Sequence, residues 1–167
     1  MRRATACGCS TGLWRTISRT DLQVDFYHLA AAPLDRVLPQ IAEKVLAGGG
    51  RLLIVDADEG RRERLDRLLW EYARDSFLPH ALAGAGDDAE QPVLIASEPE
   101  AGNAARNVAL ADGRWRDEAL GFDRAFLFFD EERVGEARTA LKSLAAREGV
   151  TRNYWRQKAG GGWEKAA

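Results

Sequence analysis

Few residues of this chain could do chemistry. The only cysteines are Cys7 and Cys9, in the triplet CGC, and the only histidines are His28 and His80. A covalent nucleophile needs a base within hydrogen-bond reach. Cys7 and Cys9 lie in a segment that reads as a tail, and Ser76, four residues before His80, has no strained GxSxG elbow around it. Two cysteines and two histidines make a poor donor set for a structural metal, so neither metal nor cofactor is expected. The run Gly48-Gly49-Gly50 is followed by Arg-Leu-Leu. It lacks the Gly-Lys-Ser/Thr of a phosphate loop, and it reads as a helix terminator. The acidic clusters Asp56-Ala57-Asp58-Glu59 and Asp130-Glu131-Glu132 stand where helices begin. There a carboxylate caps the first turn and complements the helix dipole. His28 falls within a strand, as a core or partner-facing polar residue. No catalytic constellation emerges, and the chain is not expected to be an enzyme on its own.

Charge is more informative. The net charge is −2, unevenly spread. Residues 1–20 hold four Arg and no acid, residues 138–167 hold seven Lys/Arg against two Glu, and the segment between is strongly acidic. A basic end on an acidic body fits either a specific anionic partner or ordinary surface charge. No apolar run approaches the roughly 20 residues of a membrane helix, so a soluble, intracellular protein is expected. Residues 1–21 lack periodicity and read as a disordered or non-native extension, leaving 22–167 as one domain.

The elements that would carry these residues alternate. Strands are expected at 24–29, 51–55, 92–96, 107–110 and 125–129, with a last one at 153–157. A helix is marked by Leu34, Val37, Leu38, Ile41 and Val45, with Pro39 expected to kink it. Further helices are expected over 59–73 and 131–147. Strands alternating with helices predict a single α/β domain, a mostly parallel central sheet flanked by helices. The stretch SFLPHALAGAG, 76–86, reads as a connector that is unusually apolar for a loop.

Two surfaces follow from helical geometry. On the second helix Leu65, Leu68, Leu69 and Tyr72 share a stripe, while Trp70 lies about 140° from Leu65 on the side of Glu63, Arg67 and Arg74. Trp70 then either forms an exposed patch with Phe77 and Leu78 or is buried by the following loop. On the last helix Arg138 and Lys142 share a face beside Leu141 and Val134. That arrangement suits a peptide carrying carboxylates and an aromatic, and equally a solvated helix face.

The order and spacing of VDFYHL, of LW and PH with eight residues between them, of SFLPH and LAG, of PVLIAS, and of YWRQ followed by GGWEK resemble the chi subunits of the bacterial DNA polymerase III holoenzyme. The resemblance covers about residues 22–166, and its end is similar to the alphaproteobacterial branch. It implies a Rossmann-like α/β fold and a non-catalytic clamp-loader accessory subunit of a cytoplasmic bacterial replisome. The implied partners are the psi subunit, in a heterodimer, and the acidic C-terminal tail of single-stranded DNA-binding protein. It places psi contacts on Trp70, Phe77, Leu78 and Pro79. The tail site falls on Arg138, Lys142, Leu141 and Val134, with Leu127 or Phe128 lining the pocket. Leu141 stands where an aromatic is common. The competing class is a nucleotide-binding or nucleotide-hydrolysing enzyme of helicase-like α/β fold, against which the missing phosphate loop argues. Direct binding of single-stranded DNA by the basic end is expected to be weak, because the acidic body repels phosphate.

Overall fold

A computed structural model describes residues 21–30, 32–72, 74–75 and 77–166. Cys7, Cys9, Ser76 and the extension 1–20 lie outside the described residues. The chain runs β1 (Leu22–His28), α1 (Leu34–Ala47), β2 (Leu52–Val55), α2 (Glu59–Glu71), β3 (His80–Leu82), β4 (Val93–Ala96), β5 (Asn107–Leu110), β6 (Arg124–Phe129), α3 (Val134–Ala145), β7 (Val150–Gln157) and β8 (Trp163–Lys165). The strands form one eight-stranded sheet in the order β3-β4-β2-β5-β6-β1-β7-β8. Neighbours pair in parallel except β7 with β8, which are antiparallel. This is the mixed α/β architecture of a Rossmann-like domain.

The central strands are apolar on both faces because both faces are covered. On one, Val37, Leu38 and Ile41 of α1 and Leu65 and Leu69 of α2 pack on Leu52, Ile54, Ile95, Phe126 and Phe128. On the other, Ala137, Ala140 and Leu144 of α3 pack with Phe26, Leu53, Val108, Leu127 and Phe129. Alternation along β6 thus sends Leu127 and Phe129 toward α3 and Phe128 away from it.

The helix ends follow from local chemistry. Asp58 caps α2, its carboxylate accepting from the Arg61 amide at 2.7 Å. Asp130 accepts from the Arg133 amide at 3.2 Å and opens a 3-10 turn, Glu131–Arg133, that leads into α3. Gly48 follows α1, and Gly49 turns the chain at φ +77°. The helix α1 is continuous through Pro39, which sits buried in its second turn.

Two edge strands depart from the sequence reading. The segment 76–86 is not all connector, because His80–Leu82 forms β3 beside β4. The β8 strand at the opposite edge was not expected either. Each spans three residues, too short for period-two alternation to register.

Candidate functional site

The apolar surface around α2 and β3 comes first. Trp70 is 57% and Phe77 70% exposed, and among the described residues these are the large hydrophobic side chains left in solvent. Their ring centroids lie 5.8 Å apart. The open question about Trp70 is therefore answered in favour of exposure. The same ring lies 4.9 Å from that of His80. His80 is buried, with Nδ1 2.6 Å from the Leu78 carbonyl oxygen and Nε2 3.0 Å from that of Asp66. It ties the segment 77–79 to α2 and gives Trp70 a backing.

Leu78 requires a correction. It is 4% exposed and packs in the core cluster that holds Leu65 and Leu69, so it offers almost no surface to a partner. Pro79 is half-buried, and its carbonyl accepts from the Val93 amide at 3.3 Å. Alternation explains both: Phe77 points out, Leu78 points in and anchors it.

The second surface lies between α3 and β7. About 100° per residue puts Val134 and Leu141 at the shoulder of the buried Ala137-Ala140-Leu144 stripe, with Arg138 about 50° and Lys142 about 90° further round. Val134 and Leu141 are half-buried, and Arg138 and Lys142 are exposed. Along β7, Arg152 and Arg156 flank Tyr154 on the α3 side of the sheet. Arg152 Nη1 donates to the Leu141 carbonyl at 3.1 Å, joining strand to helix.

Leu127 and Phe128 require a second correction. Leu127 is 0% and Phe128 1% exposed, and Phe128 faces α1, stacked on Tyr27 at 5.4 Å. Neither presents surface beside Arg138. The aromatic floor on the α3 side is Phe129 with Tyr154, ring centroids 5.9 Å apart. The Tyr154 hydroxyl lies 3.2 Å from His28 Nδ1, and a Glu131 carboxylate oxygen lies 2.9 Å from His28 Nε2. Burial pushes the Tyr154 hydroxyl above its ordinary pKa, with Arg156 and then Arg138 pulling it down.

Positive charge gathers at this groove. Among the described residues, Arg138, Lys142 and Arg156 have no carboxylate within ion-pair distance, as is true of other surface cations such as Arg64, Arg67 and Arg114, whereas Arg61, Arg106, Arg116, Arg124, Arg133 and Arg147 each have one. Sequence reasoning missed Arg152, Tyr154 and Arg156. Their signal was the alternation Val150, Arg152, Tyr154, Arg156, one face of a strand whose expected span began only at Asn153.

A third feature is a crevice of about 440 Å³ at the carboxyl ends of β1, β5 and β6, lined in part by Arg61, Asp112, Gly113, Asp130 and Arg133. Such crevices hold ligands in many open α/β sheets. Here the lining arginines, Arg61 and Arg133, already hold carboxylates, and Asp112 holds a guanidinium. Arg116 forks onto Asp112 at 2.9 and 2.7 Å, and Arg61 Nε lies 3.0 Å from Asp56. Among the described residues no cluster of three or more His, Cys, Asp or Glu side chains is arranged to hold a metal ion, and no helix is long and apolar enough to cross a membrane.

The family profile described as DNA polymerase III chi subunit, HolC, matches residues 22–151. DNA polymerase III subunit chi of Pseudomonas aeruginosa is 38% identical over 84 residues, covering 48% of this chain and 58% of that protein. Subunit chi of Escherichia coli is 33% identical over 78 residues, covering 47% of this chain and 53% of that protein. A probable subunit chi of Rickettsia prowazekii is 28% identical over 76 residues, covering 46% of each chain. The chain thus spans about half the length of the curated relatives it matches. The profile match takes in β1 through the start of β7, with α2, the 77–80 segment and α3 inside it, and on that extent the chain belongs to the DNA polymerase III chi subunit family.

Proposed function

We propose that this chain is a non-catalytic adaptor of the DNA polymerase III holoenzyme in DNA replication. Its Trp70–Phe77 surface, with Pro79, holds a psi subunit and through it the clamp loader. Its α3–β7 groove binds the acidic C-terminal tail of single-stranded DNA-binding protein. The work is done at the cytoplasmic replisome, and the chain contributes no chemical step of its own.

One observation carries this reading: the two surfaces are far apart. Trp70 and Phe77 belong to the β3 edge and the face covered by α2, whereas Arg138 and Lys142 belong to the opposite face near β7. Six strand spacings separate β3 from β7, about 29 Å at about 4.8 Å each. An adaptor needs that separation, because two partners must be held at once. The apolar surface suits an aromatic-anchored subunit interface. The cationic groove suits a flexible acidic tail, whose affinity falls with salt.

The test is a three-way binding measurement. A labelled acidic peptide ending in Phe is titrated into the free chain and into its complex with psi. The expected result is the same affinity in both, weakened by salt. Trp70→Ala removes psi and spares the peptide, while Arg138→Ala with Lys142→Ala does the reverse. Competition between psi and the peptide, or unchanged peptide affinity in the double variant, overturns the reading.

A further inference from the structure

The reading above assigns the acidic ligand to cations on α3. We propose that β7 supplies the other half of that site: Arg156 closes with Arg138 on a carboxylate of the ligand above Tyr154, so that an extended acidic peptide lies between two cationic rails. This rests on the α3–β7 groove being the peptide site, and it adds residues that nothing in the α3 pattern specifies.

The register places Arg156. Its Cα pairs with that of His28 in the parallel β1–β7 ladder, and both side chains project from the α3 face of the sheet. His28 reaches Tyr154 through Nδ1 and Glu131 through Nε2. Arg156 therefore stands at the level of the α3 N-terminus, while Arg152, bonded to the Leu141 carbonyl, stands two helical turns lower. From Arg152 to Arg156 a strand rises about 13 Å. From Val134 to Leu141 a helix rises about 10.5 Å. Strand and helix thus run side by side over that length, and about four extended residues of a ligand match it.

Charge supplies the occupant. Arg138, Lys142 and Arg156 are exposed and have no carboxylate partner among the described residues. Both Arg156 and Arg138 act electrostatically on the Tyr154 hydroxyl from opposite elements. Two guanidinium groups around one point, each with its planar fork of donors free, fit a carboxylate better than a single ammonium does. The Glu131 carboxylate sits at the upper end, held at His28. It sets a limit there, because a ligand carboxylate beside it is repelled, and the acidic side chains are directed toward Arg156 and Arg138.

The experiment is fluorescence anisotropy on a labelled octapeptide of Asp and Gly ending in Phe, with the full chain and four variants: Arg156→Glu, Arg156→Lys, Arg138→Glu and Arg114→Glu. Arg114 is exposed in the β5–β6 connection and controls for net charge. Arg156→Glu and Arg138→Glu are each expected to weaken binding by about tenfold or more, and Arg156→Lys by less. Arg114→Glu is expected to stay within about twofold, a screened long-range effect. Arg156 is exposed, so thermal melts of its variants should overlay the parent. If Arg156→Glu matches Arg114→Glu while Arg138→Glu weakens binding, the α3 site stands and the β7 half is wrong. If the parent chain does not bind the peptide, both are wrong.

Discussion

Trp70 and Phe77 meet at 5.8 Å between ring centroids, tilted by 54°, while remaining 57% and 70% exposed. A tilted aromatic pair with this little burial contributes little to the isolated domain. Trp70→Ala and Phe77→Ala should each change unfolding free energy by less than about 1 kcal/mol in urea. Each should nevertheless abolish co-purification with psi, the partner proposed for this surface. A large loss of stability in either variant would mean that the pair serves the fold instead of a partner.

The neighbouring residue should behave in the opposite way. Leu78 is 4% exposed among Leu65, Leu69 and Val93. Leu78→Ala should destabilise the domain by about 2–4 kcal/mol through lost burial and the cavity left behind. Urea denaturation of Leu78→Ala beside Phe77→Ala measures the contrast. Equal midpoints for the two would contradict the inward placement of Leu78.

This inversion shows where sequence patterns stop. The central strands β2, β4, β5 and β6 were legible because parallel strands buried on both faces leave continuous apolar runs. The α1 and α2 stripes were legible from spacing, and Asp58 and Asp130 from their capping positions. The direction of Leu78 was not, because Phe77, Leu78 and Pro79 precede a strand of only three residues, whose pairing with β4 begins at His80, and no strand period marks their faces. The direction of Phe128 was not, because an all-apolar strand such as Arg124–Phe129 gives no sign of which face each residue takes. Trp70 was half legible: the helix wheel put it off the stripe, and only the packed position of the 77–79 segment shows that it stays largely exposed among the described residues. Arg156 stood in an expected strand, but its place beside the start of α3 was not legible, because that comes from a register with β1 more than a hundred residues away.

Asp25 illustrates a buried charge of the structural kind. It has no exposed surface, and its carboxylate accepts from Gln23, from Arg124 Nε at 2.8 Å, from Asn153 Nδ2 at 2.9 Å and from Trp155 Nε1 at 3.0 Å. One side chain thus links β1 to β6 and β7. Asp25→Ala strands those donors and should cost about 3 kcal/mol or more. Asp25→Asn, which keeps an acceptor but loses the charge, should cost less. Thermal or urea unfolding of both variants checks the order, and an equal or reversed order would show that packing rather than hydrogen bonding sets the cost.

The carboxyl-end crevice makes the last prediction, one of pH. Burial pushes Asp112 up, but the Arg116 fork with the Arg114 and Ala57 amides outweighs it, and the carboxyl lies below its ordinary 3.8. A depressed carboxylate stabilises the fold fully above its unfolded pKa and loses that contribution as pH falls from 3.8 through the folded value. Asp56 has the opposite sign. Burial holds it above 3.8 despite the Asp58 amide and Arg61, so its ionisation costs stability as pH rises from 3.8 to the folded value. Urea unfolding of the parent, Asp112→Asn and Asp56→Asn from about pH 2 to about pH 7 separates them. The deficit of Asp112→Asn should shrink in acid, because the parent loses its ion pair there. The deficit of Asp56→Asn should instead shrink as pH rises, because the parent then carries the cost of a buried charge. Parallel profiles for the two variants would show that the guanidinium groups compensate both carboxylates equally, and that the Arg116 fork gives Asp112 no advantage over Asp56.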